Sequence, residues 1–222
     1  MKQCAQCKTQ YYCGPECQRA DWKRHKVWCK REVNRAKIEQ AFIDNNEIGA
    51  HVADDFDAWF SAMAPQLYIW TCVHGLEVYK DRSNIQTKFV HLAVRERRQR
   101  PSSALRMFEY ESITVYDRVA LPMLLGGDAR EAKLVVDQYS ELDLQAKARG
   151  KAGTALVVTS VSPSPGSTTR AALFRTTPVT LLMEDVTESE DTPEWKDLIK
   201  DIINNGTSIR RMMAEREKRG VF

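Results

Sequence analysis

Between Cys4 and Cys29 the chain reads CAQCKTQYYCGPECQRADWKRHKVWC, which holds five of its six cysteines and one of its four histidines. The six soft donors fall into three close pairs: Cys4-x2-Cys7, Cys13-x3-Cys17 and His25-x3-Cys29. Each spacing lets two side chains turn toward one ion without help from distant chain. Thiolate and imidazole are the usual structural donors to zinc, which takes four of them in a tetrahedron. Calcium and magnesium prefer oxygen. A set this rich in thiolate belongs to a closed, structural site, since a catalytic zinc keeps a position open for water. Six donors exceed one tetrahedron and fall short of two, and spacing alone does not assign them. The segment DWKRHKVWC predicts a helix starting at Asp21 or an earlier polar residue, with His25 and Cys29 one turn apart on one face.

The compartment matters, because clustered cysteines in an oxidising one would read as disulfides. The opening MKQCAQCKTQ has no apolar stretch of the kind a secretory signal carries. The protein is therefore expected to be intracellular, in the nucleus or the cytoplasm, with its thiols reduced. No apolar run approaches the roughly 18–20 residues needed to span a bilayer, so no membrane is expected among its partners. With 43% hydrophobic and 28% charged residues, the 222-residue chain has globular composition and length enough for a real core. A net charge of +3 is too mild to argue for nucleic acid. The basic face of RADWKRHKVWCKR is read as a solvated helix surface or a protein contact.

The order C-x2-C, YYC, x3-C, Q, DW, x2-HK, x2-C resembles the MYND-type zinc finger. The matching residues are Cys4, Cys7, Tyr12, Cys13, Cys17, Gln18, Trp22, His25, Lys26 and Cys29. The resemblance covers about the first 30 residues. It implies an interleaved arrangement of eight ligands and two Zn2+ ions, in which Cys4, Cys7, His25 and Cys29 complete one site. Cys13 and Cys17 would belong to the other, whose first C-x2-C pair precedes Cys4 in the family. One complete and one incomplete site are therefore expected, and the chain is expected to begin within the finger. A sequential grouping of Cys4, Cys7, Cys13 and Cys17 is the alternative. Family members act in protein–protein interaction, and several bind proline-rich peptides in a groove near zinc. A protein partner, such as a proline-rich peptide, is expected here, and nucleic acid is not.

Beyond the finger, a linking helix and turn are expected over residues 30–51, with NNEIG as the turn. An α+β domain follows over 52–205, then a charged tail over 206–222. Phe56, Trp59, Phe60 and Met63 recur at helical spacing, and Pro65 is expected to start or kink a second helix. KFVHLAVR alternates as a strand, RMFEYESITVYDRVAL reads as one or two strands, and GTALVVTSV as another. A long helix is expected to end at Gly150, and TPEWKDLIKDIINN to form a last one stopping at Asn205-Gly206. RERRQRPSS reads as a wet loop, and Cys72 and His74 as packed residues rather than a reactive pair. This part of the chain resembles the region beside the finger in other MYND-containing proteins, many of them fungal.

Some MYND proteins are S-adenosylmethionine-dependent methyltransferases, and an enzyme of that kind is the alternative function. The Asn-His-Ser-Cys signature of the SET domain is absent here, as are a P-loop, G-x-S-x-G and H-E-x-x-H. The protein is thus read as a small zinc-binding module joined to an α+β domain, with metal ligands and no assigned catalytic residue. Elemental analysis of the purified protein should return one zinc per chain. Two would mean that Cys13 and Cys17 recruit ligands outside this segment.

Overall fold

The computed structural model describes residues 2–8, 10–44, 50–99, 101–125, 129–162 and 173–207. The chain divides into two units, Met1–Ala50 with Thr168–Ala171, and His51–Ser167 with Ala172–Phe222. The first holds a short hairpin of β1 (Lys2–Gln3) and β2 (Tyr11–Tyr12), paired antiparallel, and helix α1 (Pro15–Asp44). Pro15 opens α1, where its missing N–H is one that the first turn would leave unpaired anyway. The helix therefore starts well before Asp21. No glycine or further proline interrupts it up to Asp44, so the finger's helix and the expected linking helix are one element. The expected turn at NNEIG lies on residues outside those described, and so does the tail from 208 on.

The second unit is built on a four-stranded sheet of order β4-β3-β5-β6, comprising β3 (Lys88–Glu96), β4 (Phe108–Asp117), β5 (Gly153–Ser162) and β6 (Leu173–Leu181). The central pair, β3 and β5, is parallel, and both outer pairings are antiparallel. All residues of β5 from Gly153 to Val161 are buried, which is why GTALVVTSV reads as a continuous apolar run instead of alternating. Pro178, which cannot donate to a ladder, sits in edge strand β6. On one face Phe89, Leu156 and Val158 pack against Ala132, Val135 and Tyr139 of α5 (Ala129–Ala148). On the other, α2 (Ala50–Gly75) brings Tyr68 Oη within 2.5 Å of Thr159 Oγ1 and sets Phe56 and Trp59 edge-on to Phe108. Short helices α3 (Asn84–Thr87), α4 (Leu121–Leu124) and α6 (Met183–Thr187) link these parts, and α7 (Trp195–Asn205) packs on β4.

Of the start or kink expected at Pro65, the start does not occur: helix α2 continues through it. An interior proline costs ~3 kcal/mol. Against this, Phe56, Trp59, Met63, Leu67 and Tyr68 are all buried along the helix, each contributing ~1.5–3 kcal/mol. The apolar stripe on both sides of Pro65 outweighs the lost bond. Cys72 and His74 are buried, and burial pushes the Cys72 thiol far above its ordinary range. Gly206, in the left-handed region at φ 61°, closes α7 as expected. Two arginines from the expected wet loop and its flank dock on that helix end: Arg97 donates to the Asn204 carbonyl at 2.6 Å and Arg106 to that of Asn205 at 3.0 Å. Cations there complement the negative helix terminus.

Gly153 begins β5 at φ 149°, and a Cβ there would lie 2.5 Å from Asp143 Oδ1. That carboxylate is almost fully buried, yet it accepts from Thr154 N at 2.8 Å and Gln86 Nε2 at 3.0 Å and pairs with Lys147 at 2.9 Å. Burial raises its pKa, but these donors together outweigh burial and hold it below the ordinary carboxylate value. Its stabilising effect is complete above the unfolded-state value near ~4 and is lost as pH falls through the lower folded value. Asp143→Asn should cost about 1–3 kcal/mol at neutral pH and flatten the acid limb of stability. Urea unfolding between neutral pH and pH ~3 checks both; equal acid limbs for variant and parent would refute the assignment.

Candidate metal centre

The Cys4 end of the site is shaped by the hairpin. Cys4 N donates to Gln10 O at 2.8 Å, and Lys8 N returns to Cys4 O at 3.0 Å. Lys8 holds the left-handed conformation at φ 56°, which closes the turn carrying Cys7. Gln3 ties the loop by donating to the Lys8 carbonyl and, at 3.0 Å, to Tyr11 Oη. The other end is the middle of α1, where His25 and Cys29 lie one turn apart.

These two ends meet. One donor atom from each of Cys4, Cys7, His25 and Cys29 lies within 4.8 Å of every other. Cys4 Sγ and Cys29 Sγ are 3.8 Å apart, and His25 Nε2 lies 3.4 Å from Cys4 Sγ and 3.5 Å from Cys7 Sγ. A tetrahedral ion with Zn–S near 2.3 Å and Zn–N near 2.0–2.1 Å sets its donors about 3.8 Å apart for S–S and about 3.6 Å for S–N. The donor set fits zinc in both chemistry and spacing. Cys4, His25 and Cys29 are buried. Burial, with the neighbouring Cys4 and Cys7 thiols, pushes the Cys29 thiol up to about 12. Thiolates this crowded repel one another, and a divalent cation relieves that repulsion.

Aromatic rings hold the imidazole in place. Tyr12 meets His25 edge-on with centroids 5.7 Å apart, and Trp22 lies 6.0 Å away. Tyr12 donates to Asp21 Oδ2 at 3.0 Å. Its burial, followed by this bond to a carboxylate, raises the phenol well above its ordinary range. Asp21 therefore braces the finger, not the helix start. Gln18 Nε2 lies 3.8 Å from Cys4 Sγ as a donor to that sulfur. Cys13 and Cys17 are not in the cluster. They are exposed and joined to each other as a disulfide, with Cα atoms 6.1 Å apart. The C-x3-C spacing was legible as a pair of ligands, and the same closeness also permits a bridge.

Residues 1–29 match the family model described as MYND finger. This segment is a MYND finger. MYND fingers bind zinc and are generally protein-interaction modules. Over 30 residues the chain is 60% identical to SET domain-containing protein 14 of Caenorhabditis elegans, a match covering 14% of this chain and 7% of that protein. The chain therefore shares only a small part of that relative's length, and the shared part is the finger. No solved structure matches the chain at a significant level. Among the described residues, no helix is long and apolar enough to cross a membrane.

His25→Ala and Cys4→Ser should each lose the bound metal, while Cys13→Ser should retain it. A thiol-reactive zinc indicator, read after denaturing each desalted variant, measures this. Equal loss in Cys13→Ser would place that cysteine in the site.

Proposed function

We propose that this protein binds zinc through Cys4, Cys7, His25 and Cys29 and uses the finger so held to capture an extended, proline-rich segment of a partner protein. One observation carries the reading: a groove of about 400 Å3 opens beside the metal ligands, lined by Cys4, Ala5, Gln6, Pro15, Gln18, Arg19 and Trp22. Trp22, 39% exposed, is the one aromatic ring in that lining. A proline-rich strand suits such a groove, because its backbone is already restricted and loses little freedom on binding. Metal binding shapes the groove, since Cys4 is both a ligand and part of the wall. In reduced protein Cys13 and Cys17 would offer two thiolates to a second ion, an incomplete set. Bonded to each other, they offer none.

The resemblance to a SET-domain protein lies within the finger, so that protein's chemistry is not transferred to the second unit. The test is isothermal titration of zinc-loaded full-length protein with a proline- and leucine-rich peptide. Binding should vanish on chelation. Trp22→Ala should weaken it by ~2 kcal/mol, roughly thirtyfold in Kd. Unchanged affinity after chelation, or in Trp22→Ala, would sink the proposal.

A further inference from the structure

The groove's outer wall opens onto a set of charges that the metal centre does not use. Residues three and four apart share a helix face, and Arg19, Lys23, Lys26 and Lys30 follow that spacing along α1. All four are exposed, and Arg19 also lines the groove. Trp22, which lines the groove, stands one turn before Lys26, so the groove and the basic stripe adjoin along α1. Among the described residues no carboxylate pairs with these four cations, whereas Arg24, on another face, pairs with Asp21. The mild overall charge conceals the asymmetry. Residues 1–44 carry ten Lys and Arg against five Asp and Glu, a net +5, and the remainder of the chain carries −2.

Resting on the reading of the groove as a peptide site, we propose that the partner segment carries a run of acidic side chains directly beside its apolar residues, held by Arg19, Lys23, Lys26 and Lys30. From Arg19 to Lys30 the helix rises about 16 Å, the length of about five residues of extended chain. Three of the four cations are lysines, point charges on flexible stems without the fixed fork of arginine. They select for the density of carboxylates rather than for one registered side chain. A protein segment accounts for both halves of the surface. It fills the apolar groove and neutralises the stripe, whereas a nucleic acid has no aliphatic segment for the groove.

The experiment uses the zinc-loaded full chain and fluorescence anisotropy with labelled peptides: a proline–leucine core, the same core with a glutamate run appended at either end, and the core with a glutamine run of equal length. A single-stranded oligonucleotide is the fourth probe. At low salt, one of the two glutamate peptides should bind about tenfold tighter than the core alone, and the glutamine peptide should match the core. The gain should disappear near 1 M salt, where screening acts within about 3 Å. The triple variant K23E/K26E/K30E should lose the gain and keep its affinity for the uncharged core. If that variant also loses the core peptide, the salt dependence of the parent protein decides. Core binding with no glutamate gain overturns this inference and leaves the groove reading standing. Failure of every peptide removes both. Tighter binding of the oligonucleotide than of either acidic peptide makes nucleic acid the occupant of the stripe and overturns the proposal.

Discussion

Three thiols and an imidazole within 4.8 Å of one another form an arrangement that suits a soft divalent cation. Burial, and after it the neighbouring Cys4 and Cys7, push the Cys29 thiol well above its ordinary value. The rest of the first unit follows from bringing these four groups together. A two-residue hairpin has no stability of its own in water, and a long charged helix has little apolar surface to bury. The hairpin loop and the helix meet where these four side chains converge. Tyr12, Asp21 and Trp22 then set the imidazole, and the groove beside Cys4 comes into being as a consequence.

The second unit rests on a different constraint. Strand β5 is buried on both faces, so each of its polar groups needs an internal partner. Thr159 finds Tyr68 of α2, Ser160 shares a 2.8 Å hydrogen bond with His91 of β3, and Thr154 donates its N–H to Asp143 of α5. These bonds tie both helical layers to the sheet at defined registers. In this setting His91 has a structural partner and is held below its ordinary pKa by burial, which Glu111 opposes in part. Two arginines of the segment after β3, Arg97 and Arg106, are likewise used within the fold, at the end of α7.

Much of this was legible in the residues. Alternation gave β3, an aliphatic run gave β5, and Asn205-Gly206 marked a helix end closed by a left-handed residue. The stripe Phe56-Trp59-Met63 placed a buried helix. Whether that helix restarts at Pro65 or continues through it was left open, because local preference disfavours proline and the burial on both sides decides the balance. Asp143 gave no signal either, since a carboxylate in a helix sequence reads as surface until the first residues of β5 pack against it. Asp21 or an earlier polar residue was expected at the helix start; Asp21 lies inside α1, and its partner, Tyr12, comes from the hairpin.

The sequence by itself determined the chemistry of the finger: which residues can hold a soft metal, which rings flank them, and that MYND fingers share this order. Donor type and spacing are local properties, and close spacing survives whatever fold surrounds it. Spacing left the grouping open and the resemblance implied it; the geometry that realises it belongs to the tertiary structure. It joined Cys4 and Cys7 to His25 and Cys29 across the hairpin–helix junction and left Cys13 and Cys17 to each other. Which pairs meet depends on where α1 begins and how the Cys4 loop turns, and both are set by backbone geometry that ligand spacing does not encode.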